Sequence, residues 1–357
     1  MILQGLTGLL NGRLSRFLIV GLVPMAFLTT FVVGLFLLGD PPAWPNLTSV
    51  VGALSGMQMV VLILGITVAA LVAHPLQLPL VRLLEGYWAW YPVGLLRPAD
   101  WAVRRQRRRL ERFQERAFVV EAPPRQGAGR PAEAGRRETR EQLRLRRAEY
   151  AAQCLDGFPA PERLLPTRLG NTLRAAEEAV SLRYGLDAVA LWPMLHSVMS
   201  PSIREAADDQ RDQMDFLTRI SVVTFVSALL ALVVLRPVGD GRWPWLVIPV
   251  VLLLVSRIAY LASVIAAAGY GRLMMAAFDL HRFDLLRALH LPLPKNSDHE
   301  KTANRALSGF FVNGDDIVYS HSPAEPQLPP RLHGTVRHQL RRPGRPVPRP
   351  RRTARPE

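Results

Sequence analysis

Charge-free apolar blocks alternate with basic polar ones along this chain. Residues 17–38 (FLIVGLVPMAFLTTFVVGLFLL) and 41–81, with the core VVGALSGMQMVVLILGITVAALVA, contain no Asp, Glu, Lys or Arg. Residues 220–235 (ISVVTFVSALLALVVL) and 243–256 (WPWLVIPVVLLLVS) form a second pair. A helix needs roughly 20 mostly apolar residues to cross ~30 Å of hydrocarbon. The pattern predicts an all-α membrane protein with four transmembrane helices in two hairpins, a mainly helical cytoplasmic region and a disordered basic tail. Its predicted units are 1–96, 97–216, 217–270, 271–321 and the tail 322–357. Arg13 and Arg16 precede the first block as in a signal peptide. The block has 22 residues, however, and ends at Gly39-Asp40-Pro41-Pro42 without an A-x-A site. A signal-peptide core is only about 7–15 residues long, so this reads as a retained anchor.

The first helix is expected over about 17–38 with a kink at Pro24, and the second over about 50–73. The segment 77–96 (QLPLVRLLEGYWAWYPVGLL) is broken by Pro79 and Pro92 and carries Tyr87, Trp88, Trp90 and Tyr91. Trp and Tyr favour the head-group layer, which places this segment in the interface plane. Basic residues set the orientation. Arg13 and Arg16 precede the first span; Arg82, Arg97, Arg104, Arg105, Arg107, Arg108 and Arg109 follow the second; the turn 39–49 has none. Both termini are therefore expected on the cytoplasmic side of a bacterial plasma membrane.

In the central region, WAVRRQRRRLERFQERAFVV reads as a helix with Val103, Leu110, Phe113 and Ala117 on one face. Residues 121–136 lack an apolar period and read as a disordered linker, followed by a second basic helix over 137–154. The two helices can fold back on each other. Leu169, Leu173, Ala176, Val180 and Tyr184 recur at helical spacing, with Gly185 as the C-cap. Trp192-Pro193 predicts a break. Ser202 to Glu205 reads as a capping box opening a helix that continues into the third span. Beyond the fourth span, Met274, Phe278, His281, Leu285 and Leu289 share a face of an amphipathic helix over 271–291. Asn313-Gly314 within FFVNGDDIVY suggests a small hairpin. The Pro/Arg-rich tail beyond about 322 has nothing with which to bury a core.

The string PTRLGNTLRAAEEAVSLRYGLDAVALWPML (166–195) resembles a pattern in uncharacterised multi-pass membrane proteins of actinobacteria. PLVRLLEGYW (79–88) and YGRLMMAAFDLHRFDLLRALHLPLP (270–294) resemble companion segments of that group, and together the three cover about a fifth of the chain. The resemblance implies the membrane architecture. It carries no activity and no site residues.

Net charge is +15, from 44 basic against 29 acidic residues, and Lys295 and Lys301 are the only lysines. Such a balance draws anionic partners. Cys154 is the only cysteine, which excludes an intramolecular disulfide and CxxC chemistry. The sequence has no GxxxxGK[ST], HExxH or GxSxG, and no catalytic set, cofactor site or metal site is expected.

Arg257 interrupts the fourth apolar block. It lies about 21 Å from Trp243 at ~1.5 Å per residue, leaving roughly 9 Å of a ~30 Å core. It is either a snorkelling anchor or a functional charge. Glu205, Asp208, Asp212 and Asp215 form one acidic stripe at i, i+3, i+7 and i+10. The stripe is either a cation-attracting vestibule or weak Mg²⁺/Ca²⁺ site, or else the partner of the 104–116 arginines or a solvated face. His281 lies near Asp279 and Asp284, but the first pair points about 200° apart on a helix. The arginines from Arg104 to Arg109, with Trp88 and Trp90, are expected to contact the bilayer and its anionic inner-leaflet lipids. Nucleic acid is disfavoured, since the basic runs lack interleaved aromatics. The functional expectation is a non-enzymatic scaffold or regulator acting on a protein partner through the cytoplasmic helices. The alternatives are a homo-oligomeric channel or permeability-altering effector, then a membrane-embedded enzyme.

Overall fold

The computed structural model describes residues 17–38, 42–73, 75, 77–88, 96–118, 131–235, 243–317 and 319. Every regular element among the described residues is a helix. Helix α1 (Val23–Leu37) continues a π-helical turn, Phe17–Leu22, with Pro24 in its first turn, where a missing N–H is tolerated. The pattern predicted one helix from about residue 50, but the chain forms two, α2 (Trp44–Ala53) and α3 (Gly56–Ala73). The cause is local. The Ser55 amide donates to Gln58 Oε1 at 2.8 Å and the Gln58 amide to Ser55 Oγ at 3.3 Å, a reciprocal cap that starts α3 afresh.

Helix α4 (Gln77–Glu85) is followed by α5 (Leu96–Phe118) and α6 (Pro131–Leu155). Helix α6 begins inside the segment expected to be a linker, whose first ten residues, 121–130, lie outside the described residues. The arginine-rich α5 buries the face read from its spacing. Leu110 is buried, Phe113 meets Phe158 at 6.1 Å, and α6 supplies Ala148 and Ala151 to the packed surface.

Helix α7 (Arg168–Tyr184) starts on Thr167, whose hydroxyl accepts from the Gly170 amide at 3.1 Å. It ends at Gly185, with φ +74°, as its spacing predicted. Helix α8 (Ala188–Val198) is capped by Asp187 and runs straight through Pro193. The expected break is absent because Leu191 and Leu195, both 0% exposed, hold the helix to the core while Pro193 faces out. Helix α9 (Pro201–Val234) takes Ser200 as its N-cap with no side-chain bond, so the Ser202–Glu205 pattern does not cap it. Helix α10 (Val247–Ala288) spans 42 residues and absorbs the amphipathic segment 271–291 that had been read as a separate element. Helix α11 (Ser297–Asn313) ends at Gly314, with φ +78°. Asn313-Gly314 therefore closes a helix, not a hairpin; both structures call for a positive φ after the asparagine.

Among the described residues, four helices are long and apolar enough to cross a bilayer: Val20–Leu37, Gly56–Ala73, Pro201–Val234 and Pro244–Ala288. The α9–α10 pair is the most extensive contact in the molecule. Small residues line it: Ser221, Ser227, Ala228 and Ala231 on α9, Ser256, Ala259, Ser263 and Ala267 on α10, all buried. Such residues let backbones approach closely where hydrophobicity cannot drive association. The Ser256 hydroxyl donates across to the Ser221 carbonyl at 2.8 Å. Met25, Ala70 and Val223 pack together at one level; Leu35, Leu38, Ala231 and Leu235 pack with Trp245 and Ile248 at another.

The largest core lies beyond the apolar stretch of α10. Val180 and Tyr184 of α7, Leu191 and Leu195 of α8, and Leu307 of α11 surround Tyr270, Met274, Phe278 and Leu285 of α10. This is the helical module. Gly271 permits a close approach of α10 to α7: a Cβ there would lie 2.6 Å from Ala176 Cβ. At Gly170 a Cβ would lie 1.9 Å from the Glu85 carbonyl oxygen, so the end of α4 rests directly on the start of α7.

Candidate functional site

The most distinctive arrangement of chemistry is a cluster of arginines where α5, the start of α7 and α10 meet. A cavity of about 470 Å³ is lined by Trp101, Ala102, Arg105, Gln106, Arg109, Pro166, Thr167, Arg168, Arg257 and Tyr260. Four of these are arginines and, among the described residues lining it, none is acidic. Helix spacing explains the set. Trp101, Arg105 and Arg109 recur at i, i+4 and i+8 on α5, and Arg257 and Tyr260 at i and i+3 on α10. Arg168 is the first residue of α7.

Aromatic rings hold these guanidinium groups in place. Arg105 lies 5.6 Å from the Trp101 ring, Arg257 6.0 Å from Tyr260, and Arg109 between Phe113 at 5.5 Å and Phe158 at 5.7 Å. Each contact is worth about 0.5–2 kcal/mol depending on desolvation. The Tyr260 hydroxyl accepts from the Arg168 amide at 3.0 Å and the Leu169 amide at 3.4 Å, locking α10 to the first turn of α7. Burial, then repulsion from Arg168, pulls the Arg109 guanidinium below its ordinary value. A second cavity of about 580 Å³ shares Gln106, Arg109 and Arg168 with the first and runs between α7 and α10 past Ala176, Ala179, Val264 and Ala268. Gln106 is 7% exposed; its Nε2 donates to the Pro166 carbonyl at 3.4 Å, while its Oε1 has no partner among the described residues.

The remaining residues singled out by sequence fall in several places. Arg104 and Arg108 line a smaller neighbouring cavity with Arg112, and Arg107 donates to the Pro161 carbonyl at 3.3 Å. Trp88 is half-buried, its indole donating to the Leu83 carbonyl. Trp90 lies outside the described residues.

The four residues of the acidic stripe share one side of the unbroken α9 but differ in exposure and partner. Glu205 is exposed and Asp212 half-buried; Asp208 meets His196 at 3.0 Å and Asp215 meets Arg211 at 3.9 Å. The partners of Asp208 and Asp215 thus come from α8 and α9, not from the 104–116 arginines. His281 and Asp279 do point apart. His281 bonds Asp284 at 3.0 Å and accepts from the Ser200 amide at 3.4 Å, while Asp279 takes the Tyr184 hydroxyl and Arg183. Among the described residues no three His, Cys, Asp or Glu side chains are grouped to hold a metal ion.

Two carboxylates escaped the sequence reading. Glu85 ends α4 and Glu177 lies on α7. Burial pushes the Glu85 carboxyl above its ordinary 4.5, with repulsion from Asp215 adding and Arg211 and Arg82 opposing. Burial raises Glu177 from 4.5 too; Arg174 and Arg211 oppose, and Asp187 and Glu85 add. A raised folded-state value favours the protonated carboxyl, so the stability it contributes is complete below pH 4.5 and is lost as pH rises through the folded value. Glu177→Gln should therefore match the wild-type unfolding midpoint near pH 4 and exceed it increasingly toward pH 7, measured by thermal unfolding in one detergent. A gap independent of pH would contradict the assignment.

Trp101, Arg168 and Tyr260 were not singled out by sequence. The i, i+4, i+8 row of Trp101, Arg105 and Arg109 was the available signal for the first. No spacing could join Arg168 to Arg257, 89 positions away. No protein-family model matches the chain, no curated protein matches it in sequence, and no solved structure matches it.

Proposed function

We propose that this chain is an integral plasma-membrane protein of two transmembrane hairpins with both termini cytoplasmic. In this reading it is a non-enzymatic scaffold or regulator that acts through the helical module and rests its arginine-rich α5 on anionic inner-leaflet lipid. The observation that carries the reading is continuity. Helices α9 and α10 run unbroken from their apolar stretches into the module, so a force or partner on the module acts directly on the spans. The levels at which Met25, Ala70 and Val223, and then Leu35, Leu38, Ala231 and Leu235, pack together support two hairpins turning at the same end. The ionisable side chains of the module favour a structural over a catalytic role: His196, His281, Asp279 and Glu300 are each held by a named neighbour. Leu182 and Val189, 74% and 64% exposed on either side of the Gly185 turn, offer apolar surface for a protein partner.

Native mass in lipid nanodiscs tests this reading. A hetero-complex is expected, and Leu182→Asp/Val189→Asp should dissociate it without changing the unfolding midpoint. A closed homo-oligomer that passes ions would overturn the reading in favour of a channel. Topology is checked with a membrane-impermeant maleimide in a Cys154→Ala background. Ser49→Cys should label in intact spheroplasts, and Glu149→Cys only after permeabilisation.

A further inference from the structure

We propose that the arginine pocket is a site for one anionic phospholipid with a hydroxyl-bearing headgroup. Its phosphate lies among Arg105, Arg109, Arg168 and Arg257, and its acyl chains lie along α10. The proposal rests on the reading that α10 crosses the bilayer and enters the cytoplasm near Arg257.

Charge is the first argument. Four guanidinium groups share one cavity whose described lining includes no carboxylate. Arg109 and Arg168 are half-buried while Arg105 and Arg257 are exposed at the mouth; like charges gathered in this way repel, and a phosphate that enters removes the repulsion while taking up N–H donors from several directions. The α7 N-terminus is not the anion site, because its first amides already donate to Thr167 and Tyr260. The guanidinium groups themselves must supply the recognition.

Position is the second argument. Arg257 follows 14 uncharged residues of α10 and its 3₁₀ lead-in, where a long side chain reaches the phosphate layer. On the same side of α10, one and two turns toward the apolar end, Leu254, Leu253 and Val250 are 59%, 38% and 61% exposed. A lipid whose phosphate sits at Arg257 lays its chains on that stripe.

Headgroup size and polarity are the third. The cavity continues through Gln106, Arg109 and Arg168 into the larger one, so room extends beyond the phosphate. Gln106 lines both cavities, and its buried Oε1 has no partner among the described residues, so a small shift of the side chain would let it accept from a headgroup hydroxyl. Phosphatidic acid has no such hydroxyl, and choline would bring a fifth cation to four.

The test uses the full-length chain in phosphatidylcholine nanodiscs, with bound lipid counted by native mass spectrometry. The added probes are dioctanoyl phosphatidylglycerol, phosphatidic acid and phosphatidylcholine, with inorganic phosphate as a separate arm. One phosphatidylglycerol per chain is expected, at least tenfold tighter than phosphatidic acid or added phosphatidylcholine, with no saturable phosphate binding. Arg168→Gln/Arg257→Gln should weaken phosphatidylglycerol at least tenfold, whereas Arg144→Gln/Arg147→Gln, equal in charge but lining a separate cavity between α5 and α6, should change it less than twofold. Gln106→Met keeps every charge and should erase the preference over phosphatidic acid, which keeps the proposal testable if the arginine double variant fails to fold. Equal binding of phosphatidylglycerol and phosphatidylcholine, saturable binding of free phosphate, or equal loss in the two double variants would overturn it. The maleimide labelling separates the two failures. Cytoplasmic labelling of Glu149→Cys with no lipid preference sinks this site alone, and labelling from outside sinks the topology beneath it.

Discussion

Arg282→Ala is expected to destabilise the attachment of α11 by about 3–5 kcal/mol, the usual result of removing one member of a buried ion pair. The Arg282 guanidinium meets Glu300 at 2.6 Å, with side chains only 19% and 11% exposed. It lies between the rings of Tyr184 at 4.6 Å and Phe283 at 4.2 Å, and also donates to the Asp279 carbonyl. Truncation leaves Glu300 buried without its partner and opens the gap between two rings. The direction follows from which group remains. Desolvating a lone carboxylate is costly, whereas removing both charges is not, so Arg282→Met/Glu300→Leu should recover most of the loss. Hydrogen exchange of the α11 amides reads the effect locally: protection should fall at least a hundredfold in Arg282→Ala and return in the double variant. Unchanged α11 protection in Arg282→Ala would show that the pair does not hold the helix.

Phe278→Ala should cost about as much, 3–5 kcal/mol, by a different mechanism. Phe278 is fully buried and meets the Trp192 ring at 6.3 Å, and Trp192 in turn meets Tyr270 edge-on at 5.8 Å. The helices around it are joined by capped turns and cannot collapse into the space. Loss of the ring should therefore loosen α7, α8 and α11 together while leaving the α9–α10 serine contact intact. Protection of the module should fall while a probe at the Ser221–Ser256 contact stays unchanged. Simultaneous loss at both would mean that the module and the apolar bundle unfold as one unit.

The two substitutions probe the part of the molecule the sequence rendered least completely. The helical faces themselves were legible. Leu169, Val180 and Tyr184 on α7, and Met274, Phe278 and Leu285 on α10, are buried as their 3.6-residue spacing required. Gly185 was legible as a cap because a left-handed residue after an apolar period has few other uses. The boundaries were less so. A Pro inside a short apolar run, an S-x-x-E pattern near a Pro, and an Asn-Gly pair each have two local solutions. At Pro193, Ser202 and Gly314 the choice fell to packing. The start of α3 was readable in principle, since Ser55 and Gln58 form the cap that the Ser202–Glu205 pattern only imitated.

The candidate site divides in the same way. Arg105, Arg109 and Arg257 stood out because charge beside apolar sequence is visible in one dimension. That they share a cavity with Arg168 was not visible, since it depends on the first turn of α7 meeting Tyr260. The acidic stripe shows the converse: of four carboxylates regular in sequence, Asp208 takes His196 of α8 and Asp215 takes Arg211 of its own helix.

Apolar run length determined the four membrane-length helices, composition the excess of positive charge beside them, and apolar spacing the buried faces of α7 and of the far end of α10, because burial of apolar surface follows a period that the residues print directly. Tertiary structure decided that the fourth apolar helix and the amphipathic segment are one rod, that Arg282 and Glu300 are a pair, and that arginines from three helices converge. Those outcomes depend on which surfaces meet at long range, where the free energy belongs to pairs of residues that no local spacing connects.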